Sequence, residues 1–419
     1  MKRLTTAMLA LLLMSSCSNT LYYPDRTDGK TDSSFTYEPS EDVWLDNQPS
    51  STMVSGLVGQ GDFLYLNTGS SPMRLNTTSG KFSYLCPDPL CFHNTYACPF
   101  YTNTSTQFYP MIYENSIIFP VQYSELIYKN GIITDERRVV NQLRRYDISE
   151  GKLEVLIEDY SHGGIIEMAV GGNYIYHYTQ HKDENNAVTY YISQYDTKKE
   201  KETEEWLIAA MEGLNPYNLV YADDESLYLN SYVEGTIYKV SHDDPSDFRN
   251  VYNAPDGYVT TDVVYSSGVL MFQEKTADGV SSRLMRCDTE TGEADTLMEF
   301  ETPLRYTYYT ENYVYYVYDR YMALSISTGG SARLPETVIY RLNYKAETSV
   351  EEKVFAFSEE MGTYSMQNFV VSGNYLYGYY ISWGEPKDVY DQEDGYNSQD
   401  HGILMRIDIG SGNIDYLGE

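Results

Sequence analysis

A pattern that recurs seven times along the chain constrains its fold more than any other feature. Each copy has a short apolar segment of the form Tyr-x-Tyr or a relative of it, a connection of variable length, and a second segment that ends in x-Arg-x-Asp or a similar sequence. Alternating aromatic and aliphatic residues are typical of half-buried strands. The copies begin on average 52 residues apart, at Phe63, Ile117, Tyr174, Ser226, Val269, Tyr313 and Tyr375.

A polar turn follows the second strand of every copy. The segments read MRLNTTSGK, RRYDISEGK, SQYDTKKEK, YKVSHDD, MRCDTETGE, YRLNYKAET and MRIDIGSGN. Asp, Asn or Ser at the fourth position can accept hydrogen bonds from the following backbone and so begin a tight turn into another strand. A further apolar strand precedes each copy, as NFVV precedes Tyr375. The pattern predicts an all-β fold, a single seven-bladed β-propeller with four antiparallel strands per blade over residues 50–419. A series of small β-sandwiches is the main alternative.

The first 49 residues differ in composition from the repeats. Two basic residues precede a nine-residue apolar stretch, Thr6–Met14, which is too short to span a bilayer and is followed by Ser-Ser-Cys17. This order indicates an export signal over residues 1–16. The residues up to Cys17 resemble a bacterial lipobox, which implies that Cys17 is lipidated; an ordinary signal peptide that contains a cysteine is the alternative. Residues 17–49 are rich in Ser, Thr, Asp and Pro, as expected for a tether.

The charge of the chain excludes some partners. It has 29 basic and 61 acidic residues and a net charge of −32, which repels nucleic-acid phosphates and anionic lipid surfaces. We therefore expect no nucleic-acid partner, and contact with the membrane only through a lipid anchor. Solubility outside the cytoplasm accounts for the acidity; capture of cations or basic ligands is the alternative. We expect a monomer.

Three cysteines and one histidine lie within thirteen residues, in the spacing C-x4-C-x-H-x4-C formed by Cys86, Cys91, His93 and Cys98. Three thiolates and one imidazole suit tetrahedral zinc, and a complete set of four protein ligands is typical of a structural site. A disulfide between two of the cysteines, favoured by an extracytoplasmic location, is the alternative. Cys287 replaces an apolar residue of the repeat, and we interpret it as a core residue.

Strand direction predicts which connections share a face of the ring. The short turns within a blade fall on one face, and the connection that carries the Cys/His cluster falls on the other, together with long loops at 124–142, 319–336 and 382–402. The blade 7 loop is acidic and carries the candidate ligand-binding residues Trp383, Asp388, Asp391, Glu393, Asp394 and Asp400. Trp383 could stack on a sugar. We interpret the acidic residues as a solvated loop and do not expect calcium there, although calcium could use such oxygen ligands.

The signal, the tether and the repeats together resemble the lipid-anchored β-propeller lipoproteins of bacteria of the Firmicutes type, which are distantly similar to the propellers of TolB and of the low-density-lipoprotein receptor. That resemblance implies the fold and brings no activity with it. The sequence lacks the common nucleophile, zinc-protease and phosphate-binding motifs. We therefore predict a non-enzymatic protein that binds an unknown protein or glycan at the cell surface through its long-loop face. An enzyme that acts on a glycan or peptide at the same face is the alternative.

Overall fold

The fold is all-β. The computed structural model describes residues 58–60, 62–67, 71–93, 98–101, 110–113, 115–129, 132–158, 168–182, 184, 188–207, 218–223, 225–231, 233–242, 244, 247–279, 281–301, 304, 306–318, 338–346, 349–356, 364–382 and 402–417. These residues form 28 strands in seven four-stranded antiparallel sheets and no helix. Accordingly, this part of the chain has no apolar helix of the length that a bilayer span requires.

Each sheet is one blade and uses four consecutive strands in chain order. Blade 1 contains β1 (Val58–Gln60), β2 (Phe63–Asn67), β3 (Pro72–Asn76) and β4 (Lys81–Tyr84). Blade 2 contains β5 (Met111–Tyr113), β6 (Ser116–Lys129), β7 (Ile132–Asp147) and β8 (Lys152–Glu158). Blade 3 contains β9 (Met168–Gly171), β10 (Tyr174–Lys182), β11 (Val188–Asp196) and β12 (Lys201–Leu207). Blade 4 contains β13 (Asn218–Ala222), β14 (Ser226–Ser231), β15 (Thr236–Ser241) and β16 (Phe248–Asn253).

Blade 5 contains β17 (Tyr258–Ser266), β18 (Val269–Thr276), β19 (Ser282–Asp288) and β20 (Ala294–Phe300). Blade 6 contains β21 (Tyr306–Tyr309), β22 (Tyr313–Tyr318), β23 (Val338–Asn343) and β24 (Glu351–Ala356). Blade 7 contains β25 (Tyr364–Ser372), β26 (Tyr375–Ser382), β27 (Gly402–Asp408) and β28 (Ile414–Leu417). The seven repeat signals fall on the second and third strands of the seven blades, so the predicted seven-bladed propeller is confirmed. The predicted signal segment 1–16 and tether 17–49 lie outside the described residues.

The turn between the third and fourth strands has the predicted structure. In blade 5 the carboxylate of Asp288 accepts hydrogen bonds from the backbone N–H groups of Glu290 (3.0 Å) and Thr291 (2.8 Å). These donors hold the pKa of Asp288 below its usual value, because they stabilise the charged form. The equivalent side chain accepts a backbone N–H bond in five other blades, at Asn76, Asp147, Asp196, Asn343 and Asp408.

Side chains between neighbouring blades form the core. Alternate residues of each strand face opposite neighbours, so one strand contributes to two interfaces. Cys287 is fully buried between blades 4 and 5, which confirms its interpretation as a core residue. The ring closes between blades 7 and 1, where Leu64 and Leu75 share a cluster with Leu376. At this seam the Tyr377 hydroxyl donates a hydrogen bond to the carbonyl oxygen of Thr77 (3.0 Å).

The prediction of a long loop at 124–142 in blade 2 is wrong. The segment continues β6 and β7 as a paired hairpin whose register runs from Gln122 opposite Asn141 to Lys129 opposite Ile132. Only the dipeptide Asn130-Gly131 separates the two strands, and this dipeptide between apolar runs is a strong hairpin signal. A β-hairpin therefore extends from blade 2 on the face that was expected to carry a loop.

The last residue of the turn after the third strand has a positive φ in most blades, and substitutions there measure how much this conformation costs in stability. Gly80, Gly151, Gly292 and Gly412 occupy it at positive φ, and blade 3 has Glu200 there at φ 52°. A side chain in the left-handed region is unfavourable, so Glu200→Gly should raise the free energy of unfolding by about 0.5–1 kcal/mol in a denaturant titration.

Gly151→Ala is the matched control for the opposite direction. A Cβ atom at this position would lie 3.9 Å from the Tyr146 hydroxyl, an ordinary contact, so its cost comes from the positive φ alone. The two substitutions should shift the unfolding midpoint in opposite directions. A lower midpoint for Glu200→Gly would contradict this account of the turn.

Candidate metal centre

The Cys/His cluster lies on the connection between blades 1 and 2, after β4 and before β5. Antiparallel order places this connection on the same face as the connections between second and third strands. A direct contact agrees with that placement. Ser71, which immediately precedes β3, donates a hydrogen bond from its hydroxyl to the carbonyl oxygen of His93, and its Oγ lies 3.9 Å from the Cys98 Sγ.

Local hydrogen bonds fix the loop that carries Cys86, Cys91 and His93. The Asp88 side chain accepts a bond from the Leu90 N–H (2.9 Å), and the Asp88 carbonyl accepts one from the Cys91 N–H (3.2 Å). Asp commonly forms a turn of this kind, in which its side chain accepts a bond from the backbone N–H two residues further on. His93 then adopts a positive φ of 57°, and its ring stacks on Tyr84 with ring centroids 4.0 Å apart. The turn and the stacked ring bring His93 back toward the end of β4.

The four side chains converge on one point. The Sγ atoms of Cys86, Cys91 and Cys98 and one ring nitrogen of His93 all lie within 4.8 Å of one another. The Cys98 Sγ and the His93 Nδ1 are 3.8 Å apart. Ordinary zinc bond lengths in a tetrahedron would place a sulfur and a nitrogen ligand roughly 3.6 Å apart. The group therefore has the composition and the spacing to hold one metal ion.

All three cysteines of the group are free thiols in the structure. Every donor is then available to a metal. A disulfide between two of them, the alternative interpretation from the sequence, would remove two of the four donors. Cys287 is also a free thiol, but it is buried in a different blade interface.

The group lies between the core and the surface. Cys86 and Cys98 are buried among the side chains that pack blade 1 on blade 2, whereas Cys91 and His93 are half-buried on the outer side. Burial raises the pKa of Cys98 to about 12 and also raises the pKa of Cys86. Without a metal these thiols stay protonated near neutral pH. A bound cation would hold them as thiolates, so metal binding would release protons.

The end of the cluster is tied to blade 2. Arg144, a buried residue of β7, donates a hydrogen bond to the carbonyl oxygen of Pro99. The Phe100 ring packs edge-on against Tyr146 with centroids 5.2 Å apart and lies beside Phe119 at 6.5 Å. Cys98 therefore stands at the start of a segment that is part of the interface between blades 1 and 2.

Some residues of this site were not predicted from the sequence. Ser71, Tyr84 and Arg144 contact or support the cluster, but they lie on strands or connections that carry no metal-ligand signal. The candidate ligand-binding residues of the blade 7 loop, Trp383, Asp388, Asp391, Glu393, Asp394 and Asp400, all lie outside the described residues. Among the described residues, the Cys/His cluster is the one place where three or more His, Cys, Asp or Glu donors converge.

Comparison with known proteins identifies no family for this chain. The chain matches no protein-family model and no curated protein sequence at a significant level.

An oligogalacturonate lyase in complex with manganese is 13% identical over 71% of this chain and 72% of its own, with a TM-score of 0.41. A prolyl endopeptidase is 11% identical over 74% of this chain with a TM-score of 0.48; the match spans 41% of that longer chain. The oligogalacturonate lyase of Vibrio parahaemolyticus is 11% identical over 71% of this chain and 85% of its own, with a TM-score of 0.32. Similarities at this level carry no information on activity.

The converging donors predict about one metal ion per purified chain, measured by elemental mass spectrometry. His93→Ala should lose most of this metal, because it removes one of four ligands. Cys287→Ala is the matched control: it removes a buried free thiol outside the cluster and should keep the metal. A metal-free wild-type chain with a crosslink between two cysteines of the cluster would refute the prediction.

Proposed function

We propose that the protein is a non-enzymatic binding scaffold, anchored by lipid outside the cytoplasm, in which Cys86, Cys91, His93 and Cys98 hold one structural zinc ion. The observation that carries the proposal is the convergence of the four donors within 4.8 Å on a connection of the long-loop face. Three sulfur ligands and one nitrogen ligand are a common set for structural zinc. The zinc would fix the first connection between blades and leave the loops around it free to bind.

The proposed zinc has a structural role because its ligand set is complete. A catalytic zinc keeps one coordination position for water or substrate, whereas four protein ligands leave none in a tetrahedral site. Two ligands lie in the packed interface between blades 1 and 2. The ion would therefore link this interface to the outer half of the loop.

The binding surface we propose is the sector of the loop face formed by blades 6, 7, 1 and 2. These blades are consecutive around the ring, and they carry the metal connection, the blade 2 hairpin and the two longest remaining connections between second and third strands, 319–337 and 383–401. Long connections held by a rigid scaffold commonly bind partners. Asp388, Asp391, Glu393 and Asp394 lie close together in sequence and favour a protein or glycan partner whose contact surface is cationic or reached through a metal ion.

The anchor is tested at Cys17. Its position after two serines and before a polar segment indicates lipidation, so Cys17→Ala should move the protein from the membrane fraction to the soluble fraction. Labelling with a fatty-acid analogue should mark the wild type and not the variant. Equal labelling of the two proteins would reject the anchor.

The face is tested by shortening the blade 7 connection 383–401 to a tight turn. The connection lies outside the four strands of the blade, so the ring should still fold, and partner recovered from intact cells crosslinked before lysis should fall at least tenfold. Glu290→Ala, at an exposed turn on the opposite face, is the control and should recover as much partner as the wild type. If the shortened chain keeps its partner and Glu290→Ala loses it, the proposal has the wrong face.

A further inference from the structure

Exposed apolar side chains are concentrated beside the metal ligands. The described residues include eight exposed large hydrophobic side chains, and three of them lie within nine residues of sequence: Tyr84 at 44% exposure, Leu90 at 86% and Phe92 at 86%. The other five are dispersed over the ring, at Val139, Val155, Val233, Phe248 and Val350. Single exposed hydrophobic residues are ordinary on a protein surface, but a concentration of them marks an interaction site.

The loop presents these side chains from a fixed backbone. Leu90 and Phe92 stand on either side of Cys91, which contributes a sulfur to the metal group. The Asp88 turn holds the Leu90 and Cys91 N–H groups, and the Ser71 hydroxyl holds the His93 carbonyl. The loop would therefore lose little conformational freedom when a partner binds. Rigid apolar anchors contribute strongly to affinity for that reason.

We propose that Leu90, Phe92 and the exposed face of Tyr84, here named the apolar tip, insert into an apolar pocket with a basic rim on a folded protein partner. This inference rests on the proposed binding scaffold and names the surface and the partner chemistry. The charge argues for the basic rim. Between residues 84 and 101 Asp88 is the only residue of the types Asp, Glu, Lys and Arg, and the whole chain carries −32. A pocket surrounded by Lys or Arg would complement both features.

The same charge argues against two other occupants. A bilayer that takes up an apolar loop is usually reached with the help of Lys or Arg next to the loop, and the segment 84–101 has neither. A second copy of the chain would bring one highly acidic surface against another. A two-fold contact through the tip would also place Asp88 near its own copy.

The experiment starts from a photoreactive amino acid, p-benzoylphenylalanine, placed at position 92 of the full-length chain in living cells. A matched chain carries it at position 350, which is exposed on the opposite face next to β24. The adduct specific to position 92 is identified by mass spectrometry, and that partner protein is purified. Affinity for it is then measured with wild type, Leu90→Asp, Phe92→Asp and Val350→Asp.

We expect Leu90→Asp and Phe92→Asp each to weaken binding at least tenfold, because each replaces a buried apolar contact by a charge, and Val350→Asp to change it less than twofold. Asp88→Asn should weaken binding at low salt by a smaller factor. Metal content and thermal unfolding show that the variants are folded; if an Asp variant loses its metal, the Ser variant at the same position replaces it.

Several results would overturn the inference. These are the absence of a protein adduct at position 92, an adduct with a second copy of the chain, wild-type affinity in both tip variants, and binding to phosphatidylglycerol or phosphatidylcholine vesicles that depends on Phe92. The zinc proposal fails separately. If the chain binds the partner through the tip yet contains no metal, the metal assignment is wrong and the docking surface stands.

Discussion

The whole ring depends on side-chain packing between sheets that share no strand. Every blade takes its four strands from one continuous stretch of chain, so no blade combines strands from the two ends of the described sequence. The contact of blade 7 with blade 1 is therefore made by side chains such as Leu64, Leu75 and Leu376, together with the Tyr377 hydroxyl bond to the Thr77 carbonyl. Apolar burial of this kind is large in sum but has little directional preference. The alternation of residues along each strand supplies the direction, because it determines which side chains face each neighbouring blade.

This constraint explains the use of tyrosine. Side chains between two blades must fill a wide interface. The tyrosine ring supplies the apolar area, and its hydroxyl can donate a hydrogen bond to a polar group at the edge of the interface. The Tyr344 hydroxyl donates to the carbonyl oxygen of Thr310 (2.7 Å), and the Tyr316 hydroxyl donates to the Glu351 carboxylate (2.6 Å). The cluster of Cys86 and Cys98 occupies the same kind of position between blades 1 and 2. A metal held there would add directional bonds to an interface that otherwise depends on shape.

The repeated strands and the number of blades follow from the sequence, whereas the contacts that form only when blades pack together do not. The second and third strands are predictable because the period of two and the Asp or Asn turn are local signals. Blade 2 was misjudged at 124–142 because the length of the segment suggested a loop, although Asn130-Gly131 signals a hairpin. The convergence of Cys86, Cys91, His93 and Cys98 was predictable from their spacing. Ser71 and Arg144 were not, because they reach the cluster only after the blades have packed.

The independence of the blades also explains why the Cys/His cluster can lie on a connection without destabilising the ring. Backbone bonds within each sheet satisfy the strands on both sides of 85–110, so the exposed part of this connection, around Leu90 and Phe92, can change in length and composition at little cost to the blades. Such freedom would ordinarily leave the loop without a defined conformation. Here Cys98 and Phe100 join the core while Leu90 and Phe92 stay at the surface, and the converging Cys and His side chains bring the two halves together. The loop thus combines the variability of a connection with the order of the interface on which it is built.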